Sequence, residues 1–286
     1  MFFTGISDEA GASIERQIAA HKELGWQHLE LRMVNGVNLT DVDDATFEHV
    51  VEAVEAAGMT VCCFASQLAN WGRPITSDFN VDLQEMERAI PRMKRLGTRY
   101  IRCMSYPNDG WTERAWRDEV VWRLRDLAKL AQDNDLILVH ENCNGWGGES
   151  PANTLDLIRF VNNPAFKLVF DTGNTFAHKQ DALEYLRAVI DHVVHVHIKD
   201  GFLDGTKNVF TYPGEGSCQV EACVRLLIEH GYDGGYSIEP HIASIIHTGD
   251  VGGEERNEAL WNSYLTYGRT LMALYARAAA TAMVAK

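Results

Sequence analysis

Apolar and polar positions follow a repeating order along the chain: a short apolar run, a loop, then a stretch with helical spacing. Eight short runs stand out, at residues 3–6 (FTGI), 28–31 (HLEL), 60–64 (TVCCF), 99–104 (RYIRCM), 136–141 (LILVHE), 167–171 (KLVFD), 193–198 (VVHVHI) and 235–239 (GYSIE). Each has strand length and is rich in β-branched or aromatic residues. Helical patterns lie between them at 14–24, 47–57, 83–96, 122–131, 154–161, 182–190 and 224–230, with a long terminal helix at 260–282. Gly25, Gly58, Gly97 and Gly231 stand just past four of these stretches, where a helix C-cap wants glycine. Strand and helix alternating eight times predicts parallel strands with helical crossovers, closed into a single-domain (β/α)8 TIM barrel over residues 1–286. A doubly wound open sheet is the competing arrangement. The longest loops, 65–80, 199–217 and 240–257, all follow strands, the face on which such barrels build active sites.

Composition narrows the partners. With 46% apolar and 23% charged residues the chain is an ordinary globular one, and its 286 residues are ample for a core. A net charge of −14 argues against a nucleic-acid partner, which needs a basic face. No apolar run approaches the roughly 18 residues of a membrane span. Six cysteines without a C-x-x-C pair, behind an N-terminus that turns acidic at once, read as reduced thiols in a cytoplasmic protein.

Four consecutive late strands end on groups able to bind a metal: Glu141, Asp171, His197 and Glu239. Strand alternation places Ile137, Val139 and Glu141 on one face, Val169 with Asp171, His195 with His197, and Ser237 with Glu239. If the apolar members point inward, the polar ends converge at the barrel mouth. Three carboxylates and an imidazole make a hard site suited to one divalent cation, Mn²⁺ first, with Mg²⁺, Co²⁺ and Zn²⁺ also within reach. The structural alternative is that these ends pair with Arg or Lys of the loops above. On the metal reading a bound sugar is polarised next to its carbonyl, and Glu141 and Glu239 are the pair that removes and returns the proton. Glu30 and Arg32 close the second strand on one face, and a structural pairing between them is expected.

The stretches VHEN (139–142), FDTGN (170–174), HVHIKD (195–200), PGEG (213–216) and SIEP (237–240), with the opening GISDEA, resemble the xylose isomerase-like barrels, the sugar phosphate isomerase/epimerase family. That family includes ketose 3-epimerases, hydroxypyruvate isomerase, inosose dehydratase and, more distantly, endonuclease IV. The resemblance implies the ligand set Glu141, Asp171, His197 and Glu239, with the two glutamates as acid/base pair. It departs at Asn174, where epimerases often carry a substrate-contacting His; Asn forms hydrogen bonds but takes no charge.

His140, Asn174 and Lys199 are the candidate substrate contacts. His140 has the parity of an outward-facing residue, and it resembles the His-Glu-Asn stretch of subunits that cleave 3-oxo glycosides by elimination. The expected activity is therefore a metal-dependent sugar or sugar phosphate isomerase or epimerase acting through an enediolate. The alternative is a lyase or dehydratase using the same enolate on a keto-inositol or 3-oxo glycoside. A small carbohydrate is the expected partner. The loop aromatics Trp71, Trp111, Trp146, Phe176, Phe202, Phe210 and Tyr212 suit the C–H face of a sugar or seal the loops. The apolar side of the terminal helix either covers the barrel wall or meets a second subunit.

Overall fold

The computed structural model describes residues 1–242 and 254–284. Eight parallel strands form the sheet: β1 (Phe2–Gly5), β2 (His28–Leu31), β3 (Thr60–Leu68), β4 (Tyr100–Ser105), β5 (Ile137–Gly145), β6 (Phe166–Asp171), β7 (Val193–Ile198) and β8 (Gly235–Ile238). Their order runs β1-β8-β7-β6-β5-β4-β3-β2, and a single parallel bridge between Ile6 and Glu30 brings the two edge strands together. The result is a nearly closed TIM barrel, as the eight-fold alternation predicts.

Outside it lie α1 (Ile14–Glu23), α2 (Asp44–Ala57), α3 (Asn80–Leu96), α4 (Glu113–Gln132), α5 (Pro151–Val161), α6 (Ala182–Val189), α7 (Val220–His230) and α8 (Glu254–Val284). Side chains of Ser13, Asp43, Thr112, Ser150 and Asp181 accept from the first-turn backbone N–H groups of α1, α2, α4, α5 and α6, satisfying donors the helix cannot. Gly58, Gly97 and Gly231 end α2, α3 and α7 in the left-handed conformation, with φ of 66°, 68° and 82°.

The differences from expectation have local causes. Helix α4 begins at Glu113, nine residues before the apolar pattern, because its first turns (ERAWRDEV) are polar and held by the Thr112 cap. Strand β3 runs on to Leu68 and β5 to Gly145, each past an irregular register with β4. The 199–217 loop contains a hairpin, Asp200–Asp204 paired with Lys207–Thr211. Of the 240–257 loop, residues 243–253 lie outside the described residues. Helix α8 buries Tyr264, Tyr267, Leu271, Leu274 and Ala278 in the layer between sheet and helices, so its apolar side covers the barrel wall. No described helix is long and apolar enough to cross a membrane.

Inside the barrel, Cys63, Val139 and Val169 form an apolar plug with Tyr100 and Ile137 against it. Above the plug the lumen turns polar.

Candidate metal and catalytic site

Strand parity carries the four late strand ends to one place. Asp171 and His197 are register partners across β6 and β7, and His197 pairs with Ser237 across β7 and β8. His197 Nδ1 is fully buried and makes no hydrogen bond; it faces Glu141 Oε1 at 3.5 Å, Glu239 Oε2 at 3.8 Å and Asp171 Oδ2 at 3.9 Å. Four buried donors, one from each residue, lie within 4.8 Å of one another. Such spacing suits donors that each stand about 2 Å from one shared cation. The unsatisfied imidazole nitrogen and the oxygen-rich donor set fit a divalent metal.

The motifs have local jobs in this geometry. Asn142 ties β5 to β6: its Nδ2 donates to the Asp171 carbonyl at 2.9 Å, and its Oδ1 accepts from Asp171 N at 2.7 Å. Asp171 Oδ1 accepts from Gly173 N and Asn174 N at 2.6 and 2.8 Å, which folds the DTGN turn and leaves Oδ2 for the cluster. A Cβ on Gly173 would stand 2.5 Å from the Lys199 side chain, so the turn needs glycine to let Lys199 pass. Asp200 gathers the PGEG loop by accepting from Gly214 N at 2.8 Å and Gly216 N at 3.1 Å.

Opposite charges surround the cluster. Lys199 Nζ lies 2.7 Å from Glu239 Oε2 and 2.9 Å from Asp171 Oδ2. Arg102 Nη1 is 3.2 Å from Glu141 Oε2, and Arg32 Nη1 is 3.6 Å from Glu239 Oε1. Burial opposes ionisation of Glu141, but Arg102 and His197 overcome it and pull its carboxyl down to about 2. Burial likewise opposes Glu239, and Lys199, His241 and His197 hold it well below the usual range. Asp171 is pushed up to about 7 by burial, with Lys199 opposing and the two glutamates adding to the rise. One carboxylate of the three is thus easily protonated while the cluster holds no divalent charge, as expected for crowded like charges.

Asn174 Nδ2 donates to Glu141 Oε1 at 2.9 Å, and both Asn174 and Lys199 line a cavity of about 720 Å³ above the cluster. Trp71, Phe176 and Phe210 stand in its wall. Trp146 is instead buried, donating to Glu113, and Tyr212 packs on Tyr267, while Trp111 and Phe202 are exposed.

His140 is not brought to this cavity. It is fully buried behind β5, beside Phe166 and Gly147, and burial pushes it down to about 4. Its outward parity decides this, and the structure gives no support for a substrate contact. The expected Glu30–Arg32 pair is also corrected. Arg32 turns to Asp8 at 3.0 Å, Glu9 at 3.5 Å and Glu239. Glu30 points down the lumen to His195 and His197.

Four residues of the site escape sequence reasoning: Arg102, Asp8, Glu9 and His241. Arg102 had a signal, an arginine on the inward parity of a strand otherwise apolar. Asp8 and Glu9 stand in the GISDEA opening, which by itself assigns them no role, and His241 had no signal: its backbone N–H donates to Glu9 Oε2 at 2.8 Å and its Nδ1 lies 2.9 Å from Glu9 Oε1, across 232 residues.

Comparison with known proteins agrees with this fold. The profile of the xylose isomerase-like TIM barrel family matches residues 18–261. L-ribulose-5-phosphate 3-epimerase UlaE of Salmonella heidelberg (strain SL476) is 30% identical over 240 residues, 80% of this chain and 83% of that protein. Inosose dehydratase of Bacillus thuringiensis (strain Al Hakam) is 28% identical over 144 residues, 45% of this chain and 48% of that protein. Among solved structures, the IolI protein with a bound zinc atom superposes with a TM-score of 0.78 at 15% identity, covering 97% of this chain and 99% of that one. The chain belongs to the xylose isomerase-like TIM barrel family, whose members among its relatives are enzymes of small carbohydrates.

Proposed function

We propose that this protein is a divalent-metal-dependent isomerase or epimerase of a sugar or sugar phosphate, with Mn²⁺ as its ion, working by proton abstraction next to a carbonyl. The observation that carries the reading is the placement of two glutamates, Glu141 and Glu239, at the ends of strands separated by β6 and β7 around one cavity, both facing His197 Nδ1. Glu141, Asp171, His197 and Glu239 would hold the ion. A bound divalent cation supplies Lewis-acid polarisation of the substrate carbonyl and its neighbouring hydroxyl, which acidifies the adjacent C–H.

The chain's own residues do the rest. One glutamate takes the proton and the other returns one from the opposite side, each within reach of the cavity. Arg102 on Glu141, and Lys199 with His241 on Glu239, favour the ionised form of each, so the glutamate that returns a proton first takes it from solvent or substrate in the cavity. Asn174 fixes the Glu141 carboxylate and faces substrate hydroxyls; Lys199 stands at the same floor. Trp71, Phe176 and Phe210 offer flat apolar faces to the C–H side of a sugar ring.

A lyase or dehydratase acting through the same enolate is the second reading. It is favoured by Asn174, which replaces the chargeable imidazole common in epimerases, and by the similarity to an inosose dehydratase. The test is incubation of Mn²⁺-loaded protein in D₂O with a panel of keto and aldo sugars, sugar phosphates and inosose, read by NMR. Deuterium uptake at the carbon next to the carbonyl, with the carbon skeleton intact, supports the isomerase or epimerase. Loss of water or aglycone with a new C=C supports the lyase. No exchange with any substrate overturns both.

A further inference from the structure

We infer that Glu30, on β2, is the positioning residue that fixes the metal-binding nitrogen of His197 as Nδ1, an inference that rests on the metal reading above. Glu30 is fully buried and belongs to no wall of the cavity. It accepts three hydrogen bonds at once: from His197 Nε2 at 3.0 Å, His195 Nε2 at 2.8 Å and Ser237 Oγ at 2.6 Å. A carboxylate only accepts, so His197 must carry its proton on Nε2. With Nε2 holding its proton on Glu30, Nδ1 is the nitrogen that would give up its proton to a bound cation; it faces the cluster and makes no hydrogen bond. The same contact stops ring rotation and raises the basicity of the nitrogen that binds.

Glu30, His195 and His197 lie close enough together to be ligands in their own right. Their facing atoms are, however, already joined by hydrogen bonds, and none but His197 reaches the cluster. The arrangement therefore supports the site above it and is not a second metal site.

Glu30→Gln keeps the shape but offers one accepting oxygen and one donating amide to three donors, so the tautomer is no longer fixed. Mn²⁺ alone is titrated into the protein, with free Mn²⁺ followed by EPR. Glu30→Gln is expected to weaken binding by about ten- to a hundredfold. Ser237→Ala and His195→Asn, which leave the Glu30–His197 bond intact, are expected to leave affinity largely unchanged. Equal affinity in wild type and Glu30→Gln overturns the inference while the metal reading stands; a wild type that binds no Mn²⁺ overturns both.

Should Glu30→Gln fail to fold, ring-nitrogen ¹H–¹⁵N correlation of the Zn²⁺-loaded wild type decides. A metal-bound Nδ1 with a protonated Nε2 on His197 supports the inference, and a metal-bound Nε2 overturns it.

Discussion

Strands β5–β8 and strands β1–β4 meet at one mouth with opposite chemistry. The late four end on Glu141, Asp171, His197 and Glu239, donors that fit a cation. The early four supply no member of that set. They bring Arg102 to Glu141, Arg32 to Glu239 and the Glu30 carboxylate to His197. On the proposed function one half presents the reactive groups, and the other sets their charge, direction and tautomer. A barrel allows this because its strands face one another across a lumen, so a residue is oriented from the opposite wall rather than by its sequence neighbours.

The largest effect expected from this division is on the late half. On the proposed mechanism Glu141→Gln and Glu239→Gln each remove a proton acceptor and a metal donor, so deuterium exchange should fall by about a thousandfold in either. Exchange within tenfold of wild type in one variant would mean that glutamate is not part of the acid/base pair. On the early half the first loss is in stability. Arg102→Met takes the guanidinium from buried Glu141 Oε2, leaving that carboxylate with Asn174 and His197 on Oε1 alone, which should cost about 3 kcal/mol in denaturant unfolding of the metal-free protein. Arg88→Ala, at a half-exposed pair with Asp41, should cost under about 1 kcal/mol. Equal costs would erase the distinction between an orienting charge and an ordinary surface one.

The same division explains what the sequence makes legible. The eight strands and the glycine caps repeat locally, so period and punctuation reveal them. The four late ends repeat too, one per strand at matching parity, which is why alternation alone assembles Glu141, Asp171, His197 and Glu239. Their partners lack any repeat. Arg32 lies two residues from Glu30 on the same parity, yet it pairs with Asp8 and Glu239, because barrel closure at Ile6–Glu30 brings β1 and β8 to its side. Glu30 finds His195 and His197 across 165 and 167 residues. No spacing rule reaches that far; only the closed barrel does.

Lys199 sharpens the comparison from within the late half, since it is a cation from β5–β8 placed among that half's own acids. Its ammonium lies between Asp171 and Glu239, and those charges outweigh burial to hold it protonated. Lys199→Met should destabilise the metal-free protein by roughly 2 kcal/mol, below the usual cost of a broken buried pair, because Asp171 can take up a proton in compensation. Saturating Mn²⁺ should recover most of that loss, so the rise in Tm on adding Mn²⁺ should be larger in the variant than in wild type. An equal rise in both would show that Lys199 does not neutralise the charge that the metal would.

The smallest effect concerns a histidine of the early half that faces away from the mouth. His197, in the lumen among carboxylates, is raised well above the usual imidazole value against the pull of burial. His21 on α1 is equally buried, but its partners are neutral: it lies 2.7 Å from the His28 carbonyl through Nδ1 and 2.7 Å from the Tyr264 hydroxyl through Nε2. The carbonyl can only accept, so Nδ1 carries the proton and Nε2 accepts from the hydroxyl of α8. Burial pushes His21 down to about 4, so as pH falls the unfolded chain takes its proton first. The stabilising contribution is full above about 6.5 and is lost progressively on the way down to 4. Between pH 7 and 5.5 this amounts to about 1 kcal/mol. Gln at this position can both donate and accept without titrating. Wild type should therefore lose about 1 kcal/mol more than His21→Gln over that interval in urea unfolding. Parallel curves would mean that His21 titrates normally, and that burial at the outer wall differs less from burial in the lumen than the partners of these two histidines imply.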